Sequence, residues 1–172
     1  MVCGTAFSQE QGERGMDHAE EAKKLFLAGY NCAQAVFCAY RDVTGLDMDT
    51  AARLASSFGA GMGRLREVCG TMSGALMVLG MIRGYADPQD RDAKGAHYAL
   101  VREYARLFRE RNGTILCREL LRDVQVTEGG EPEERTSEYY ARRPCPRLAA
   151  EAAALLDRLL MNQNDKNGEE RS

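Results

Sequence analysis

The sequence has no run of alternating β-branched residues long enough to make a strand, which leaves helices as the means of building its core. Nor does it hold an apolar stretch of the ~20 residues that a membrane-crossing helix requires. The opening residues, MVCGTAFSQEQGERG, lack the apolar centre of a secretory signal, so the expected setting is the cytoplasm, with no membrane partner. Basic excess is missing too. Lys and Arg number 23 against 26 Asp and Glu, a net charge of −3, so no nucleic-acid partner is expected. The patch of Arg102, Arg106, Arg109 and Arg111 is interleaved with Glu103 and Glu110 and reads as a solvated helix face.

Cysteine is scarce for a disulfide-built scaffold, with six in 172 residues. Their spacing includes no C-x-x-C pair, zinc ribbon or ferredoxin run, which excludes the local forms of metal and redox motif. The glycine-rich stretch at 59–63 has neither a G-x-x-x-x-G-K-[ST] pattern nor a strand before it. It reads as a turn rather than a phosphate cradle. There is no internal repeat, and the alanine-rich stretch 149–154 is ordinary helix material.

What is present is helical periodicity. The pattern predicts an all-α, single-domain bundle of about six helices spanning residues 16–162, with flexible tails at 1–15 and 163–172. Asp17 and Glu20 have the form of a capping box and open a helix over 17–40, with Leu25, Phe26, Gly29, Val36, Phe37 and Tyr40 inward. A second helix over 49–58 carries Ala51, Leu54, Ala55 and Phe58 on one face. The run from Val68 to Ile82 has no charged residue and is crowded with small ones, the pattern of a central helix over 67–83 that Gly84 ends. Its interior glycines each cost roughly 1 kcal/mol of helix propensity relative to alanine, so close approach of a neighbour is expected to compensate. Asp87 and Pro88 supply a cap and a first-turn proline for a long helix ending near 112, with Leu100, Val101, Tyr104, Leu107 and Phe108 inward. Thr114 caps a short helix to about 123, and a last amphipathic helix follows Pro146 to about 161. Between them, 124–143 is polar and acidic, a loop of the length that serves as a lid or stays unstructured.

Four cysteines fall where chemistry is expected. Cys32 lies on the inward face of the first helix, while Cys69, Cys117 and Cys145 each stand in the first turn of a predicted helix or at its cap. Unpaired N–H groups and the positive dipole end favour an anion there, so a thiol so placed ionises more readily. Facing helices of a bundle can bring such distant residues together. Cys3, in the N-terminal tail, and Cys38, which points away from Cys32, carry no expected role. His97 sits inward on the long helix, where a proton exchange with a thiol and a hydrogen-bonded core position are both readings of it.

Together, YNCAQAV at 30–36, FGAGMGRLREVCGTMSGALMVLG at 58–80, GTILCREL at 113–120 and RPCPRLAAEAAALL at 143–156 resemble the redox-active protein family named for its C_GCAxxG_C_C signature. The similarity covers roughly residues 18–160. It implies that the four signature cysteines are Cys32, Cys69, Cys117 and Cys145 and that the motif glycines are Gly70 and Gly74, with Thr71 standing where the family motif has alanine. The resemblance implies redox activity and carries no substrate.

Three functions follow. In the first, clustered cysteines cycle between dithiol and disulfide and pass electrons to a redox partner, a thiol-dependent oxidoreductase being one form of this, with Cys69 as nucleophile and Cys32 as its resolving partner. In the second, Cys32, Cys69, Cys117 and Cys145 converge as ligands of an iron–sulfur cluster or zinc. In the third, the chain is a helical binding module and its cysteines are core filler.

Overall fold

The computed structural model describes residues 16–126 and 128–169, and the side chains among them as far as residue 163; Cys3 and the tail 1–15 lie outside the described residues. Helix α1, His18–Leu27, starts where Asp17 accepts the Glu20 N–H at 3.0 Å, and it buries Ala22, Leu25 and Phe26. The chain then turns through Gly29 (φ 103°) into α2, Cys32–Ala39. A full capping box starts α2: Asn31 accepts the N–H groups of Ala33 and Gln34, and Gln34 accepts that of Asn31 at 2.9 Å. The periodicity predicts one helix over 17–40; Gly29 and this box divide it in two. The division moves Cys32 from a helix interior to a helix start.

Next come α3, Arg41–Thr44, and α4, Met48–Ala55, the latter capped by Asp47. Ala51 and Ala55 face the core as the pattern requires, but Leu54 is exposed. A 3-10 turn, Ser56–Phe58, leads into α5, Gly59–Met62, a single turn that runs with the opposite hand. The central helix α6 spans Gly70–Arg83 with Cys69 as its N-cap. Helix α7, Arg91–Asn112, is capped by Asp90 rather than Asp87, because Asp87 is used in the turn before it, where its carboxylate accepts the Gln89 N–H at 2.8 Å. Gly84 does end α6, though from extended backbone and not a left-handed cap.

Helices α8, Cys117–Leu120, α9, Ser137–Arg142, and α10, Cys145–Glu169, complete the fold, the last continuing beyond 161 where the periodicity fades. Among the described residues no strand forms, and six helices reach eight residues or more: α1, α2, α4, α6, α7 and α10. The all-α bundle predicted from periodicity is the fold observed.

Helix α6 lies between α2, α7 and α10, and α1 packs across α2 and α10. The core is made by Phe26, Phe37, Tyr40, Met72, Leu79, Tyr104, Phe108, Leu148 and Leu156, all fully buried. Each large apolar side chain so buried contributes roughly 1.5–3 kcal/mol. Ala149, Ala152 and Ala153 give α10 a face of small side chains against this core. The two buried tyrosines need partners for their hydroxyls, and α10 supplies them: Tyr104 donates to the Ala152 carbonyl at 2.8 Å, and the Tyr40 hydroxyl lies 2.8 Å from both the Ala153 carbonyl and Asp157 Oδ1.

Two glycines of α6 set its distance from α2. A Cβ at Gly74 would stand 2.6 Å from the Ala33 carbonyl oxygen and 3.1 Å from Val36 Cβ. At Gly70 it would meet the Phe58 carbonyl at 2.8 Å and Cys32 Cβ at 2.9 Å. The backbones approach because there is no side chain between them. That approach carries the start of α2, and Cys32 with it, against the start of α6.

Candidate functional site

The four cysteines expected to work together stand at four helix starts. Cys32, Cys117 and Cys145 are the first residues of α2, α8 and α10, and Cys69 caps α6. Different contacts bring each pair together. Cys69 and Cys117 are joined through an antiparallel bridge between Val68 and Leu116. Around it the Cys69 N–H donates to the Ile115 carbonyl at 2.8 Å, that of Cys117 to Glu67 at 2.6 Å, and that of Arg118 to Arg66 at 3.0 Å. Cys32 reaches this pair through Gly70, and Cys145 shares a cavity wall with it. Cys38, fully buried in the last turn of α2, is outside the group.

Burial and neighbours differ across the set. Cys69, Cys117 and Cys145 are 4%, 5% and 6% exposed, whereas Cys32 is only partly buried. The Cys32 thiol is raised well above the ordinary range, first by the neighbouring Cys145 thiol, then by burial. A backbone hydrogen bond from Ala60 and the charge of Arg135 oppose that rise. Burial pushes the Cys69 thiol up to about 12, with the Thr71 hydroxyl, 3.2 Å from its sulfur, pulling the other way. The helix start was expected to make the Cys69 thiol ionise more readily; its removal from water acts in the opposite direction. Cys117 is raised by burial and by Cys32, against a hydrogen bond from Arg66 and the charges of Arg66 and Arg143.

A cavity of about 190 Å³ adjoins three of the thiols, with Cys32, Cys117 and Cys145 in its wall. Arginines line the rest of it: Arg64, Arg66, Arg135 and Arg143. Arg66 and Arg143 are 4% and 7% exposed, so these are buried charges. Glu133 sits among them. Arg143 Nη2 donates to both of its carboxylate oxygens at 2.7 Å, and Arg64 and Arg66 approach to 3.6 and 3.7 Å. Burial alone would raise the Glu133 carboxyl, but the Arg143 hydrogen bonds and the charges of Arg143, Arg64 and Arg66 hold it below its ordinary value. Arg135 lies 4.7 Å over the Phe26 ring and 5.0 Å over Tyr139, a stacked placement in which the guanidinium faces the cavity without losing its apolar support.

Sequence reasoning missed the arginines and Glu133. The signal was available in part, since Arg64 and Arg66 precede Cys69 in GRLREVC and Arg143 precedes Cys145 in RPC. Glu133, Arg135 and Tyr139 belong to the segment 124–143, read as a lid or an unstructured loop; 128–143 instead includes α9 and covers the cysteines. His97 is elsewhere. Its Nδ1 lies 3.1 Å from the Arg83 carbonyl at the far end of α6, so it serves as a hydrogen-bonded structural residue. The glycine-rich turn at 59–63 is a wall of the cavity through Gly59 and Ala60.

Among the described residues no group of three or more His, Cys, Asp and Glu side chains is arranged to hold a metal ion, and Cys32, Cys38, Cys69, Cys117 and Cys145 are free thiols. Nor is any helix among them long and apolar enough to cross a membrane. The fold and the site together define a helical protein that gathers four separated cysteines beside an arginine-lined cavity. The family model described as "Putative redox-active protein (C_GCAxxG_C_C)" matches residues 30–159, and the chain belongs to that family. No curated protein and no solved structure matches it.

Proposed function

We propose that the chain is a thiol redox protein whose working pair is Cys32 and Cys145. The observation that carries this is the placement of both cysteines in the wall of one cavity, each at the first residue of a helix. Two cysteines that share a wall in this way can close a disulfide if their Cα atoms come within ~4.4–6.8 Å. The family's redox role agrees with this reading.

In the forward step a thiolate of the pair attacks a disulfide of the redox partner. One partner sulfur leaves as a thiolate, and a mixed disulfide forms. The second thiol of the pair then gives up its proton and attacks the mixed disulfide, closing Cys32–Cys145 and releasing the partner's other sulfur. Two electrons and two protons pass to the partner, which becomes a dithiol. Cys69 and Cys117, fixed by the backbone bridge, act as the neighbouring pair to which the oxidation can move. This reading assigns the first attack to the Cys32–Cys145 pair and not to Cys69, because Cys32 and Cys145 line the cavity and Cys69 does not. It sets the chain in the reducing cytoplasm, where a protein-disulfide partner and free thiols coexist.

The test is stoichiometric oxidation of the reduced chain by a small organic disulfide, followed by peptide mapping without reductant. A Cys32–Cys145 link is expected, lost in Cys32→Ser and in Cys145→Ser. Oxidation that leaves these two cysteines unlinked, with the link elsewhere or between chains, would sink the proposal.

A further inference from the structure

The cavity has more positive charge than a thiol pair needs. Four guanidinium groups line it against one carboxylate, and two of them are more than nine-tenths buried. Guanidinium donors already gathered and ordered on one wall are suited to meet an oxyanion. The fold already does so once: the Glu133 carboxylate takes two contacts of 2.7 Å from Arg143 and lies within 3.7 Å of Arg64 and Arg66. Guanidinium groups so placed recognise oxygen pairs in general, carboxylate or other oxyanion. At about 190 Å³ the cavity has room for a tetrahedral oxyanion beside the thiols.

We propose that this cavity is a binding site for a small doubly charged oxyanion, held by Arg64, Arg66 and Arg143 beside Cys32 and Cys145, and that such an anion, of the thiosulfate kind, is a substrate of the thiol pair. The substrate half of this rests on the thiol redox reading; the binding half does not. With thiosulfate the chemistry closes without another reagent. One thiolate attacks the outer sulfur, a sulfur–sulfur bond forms to the protein, and sulfite leaves with the electron pair of the bond that breaks. The other thiol loses its proton and attacks the protein-bound persulfide, hydrosulfide leaves, and the Cys32–Cys145 disulfide remains. Two thiols are oxidised and the outer sulfur is reduced by two electrons. Glu133 occupies part of the arginine set, so the incoming anion competes with it.

The experiment uses the full reduced chain and titrates sulfate, an unreactive dianion, and thiosulfate by calorimetry at constant ionic strength. Saturable binding of both, each displacing the other, is expected. Arg143→Gln should weaken it about tenfold or more, the loss of one charged hydrogen bond. Glu133→Gln should strengthen it several-fold by removing the internal competitor, and this variant keeps the test open if Arg143→Gln fails to fold. Thiosulfate should also consume two thiols and release one sulfite and one sulfide per chain. Absence of saturable binding in both wild type and Glu133→Gln would overturn the site, while oxidation of Cys32 and Cys145 by an organic disulfide in the same protein would leave the thiol reading standing. Binding of both anions with no loss of thiols would overturn the substrate assignment.

Discussion

Substituting alanine at Gly74 and at Gly80 makes the same chemical change twice in α6, and the two results should have opposite signs. Any interior Gly→Ala change in a helix gains about 1 kcal/mol of propensity. At Gly80 nothing lies within 4 Å of the new Cβ, so that gain stands alone. With about 2–4 °C per kcal/mol for a domain of this size, the melting midpoint should rise by roughly that much. At Gly74 the Cβ would meet the Ala33 carbonyl oxygen at 2.6 Å and Val36 Cβ at 3.1 Å. The first of these is backbone in the first turn of α2 and has no rotamer to change. Overpacking costs ~1–3 kcal/mol, and a rigid neighbour belongs at the upper end. Set against the propensity gain, the net loss is about 2 kcal/mol, a fall of roughly 4–8 °C. Differential scanning calorimetry of the three proteins, reduced and at one pH, decides it. Gly74→Ala as stable as wild type, or Gly80→Ala less stable, would refute the argument that α6 keeps its glycines for the approach of α2 only where α2 touches it.

Other expectations follow from the same contacts. In mass-resolved alkylation of the reduced chain at pH 7, Cys32, the one described cysteine that is only partly buried, should react first although its thiol too is raised, while Cys38 and Cys69, which are buried, should stay unmodified until the protein unfolds; early labelling of Cys69 would show that its site is open. His18 stacks on Tyr40 at 4.0 Å, with Nδ1 2.9 Å from Asp157 and Nε2 3.1 Å from Asp42. Its pKa is raised, first by the hydrogen bond to Asp157, against burial. Protonation is then favoured in the folded state, so its contribution is complete below the unfolded value of ~6.5 and disappears as pH rises through the higher folded value. Urea midpoints at pH 6 and pH 8.5 should therefore differ more in wild type than in His18→Gln, and equal differences would remove His18 from the account. Tyr104→Phe should cost about 1 kcal/mol, because the buried Ala152 carbonyl loses its 2.8 Å partner; an unchanged urea midpoint would mean that water replaces the hydroxyl.

Periodicity was enough for the class of fold, because inward residues such as Phe26, Phe37, Met72, Leu79 and Phe108 recur at helical spacing and nothing competes with that pattern. Gly70 and Gly74 were legible as points of close approach because they cost propensity in a helix that is otherwise strongly apolar. The same logic failed at Gly80, which faces open space, and no packing reason accounts for it. Cys32 was misplaced within its helix because Gly29 and Cys32 continue the inward stripe of 17–40 through G-Y-N-C, while the break depends on Asn31 and Gln34 folding back on each other. The arginine cavity was invisible because it is assembled from Arg64 and Arg66 before α6 and Arg135 and Arg143 around α9, and charge runs of that kind read as surface until the fold encloses them.

The turn between Ala60 and Arg66 links these features and has its own energetic signature. Ala60, Met62, Arg64 and Arg66 all have positive φ, from 54° to 72°, with Gly61 and Gly63 between them. Left-handed backbone costs roughly 1–2 kcal/mol for each residue with a Cβ, so four such residues amount to several kcal/mol in a fold whose whole margin is about 5–15. Strain of that size persists only where the surroundings leave no alternative. Here the surroundings do. The Gly63 N–H closes on the Gly59 carbonyl at 2.9 Å, Glu67 on Gly61 at 3.1 Å, and Arg118 on the Arg66 carbonyl at 3.0 Å. Arg64 is tied at both ends, its Nε donating to the Gly129 carbonyl at 2.6 Å and its own carbonyl accepting the Gly129 N–H at 3.1 Å. A right-handed path would relieve the strain, but it would break these bonds and turn Arg64 and Arg66 away from Glu133. It would also withdraw Ala60 from the Cys32 thiol and Gly61 from Cys117, against whose Cβ it packs too closely for any side chain. The same few residues that strain the backbone are those that bring guanidinium groups and thiols to one wall, which is why a motif of four distant cysteines needs the glycine-rich lead-in before its second member.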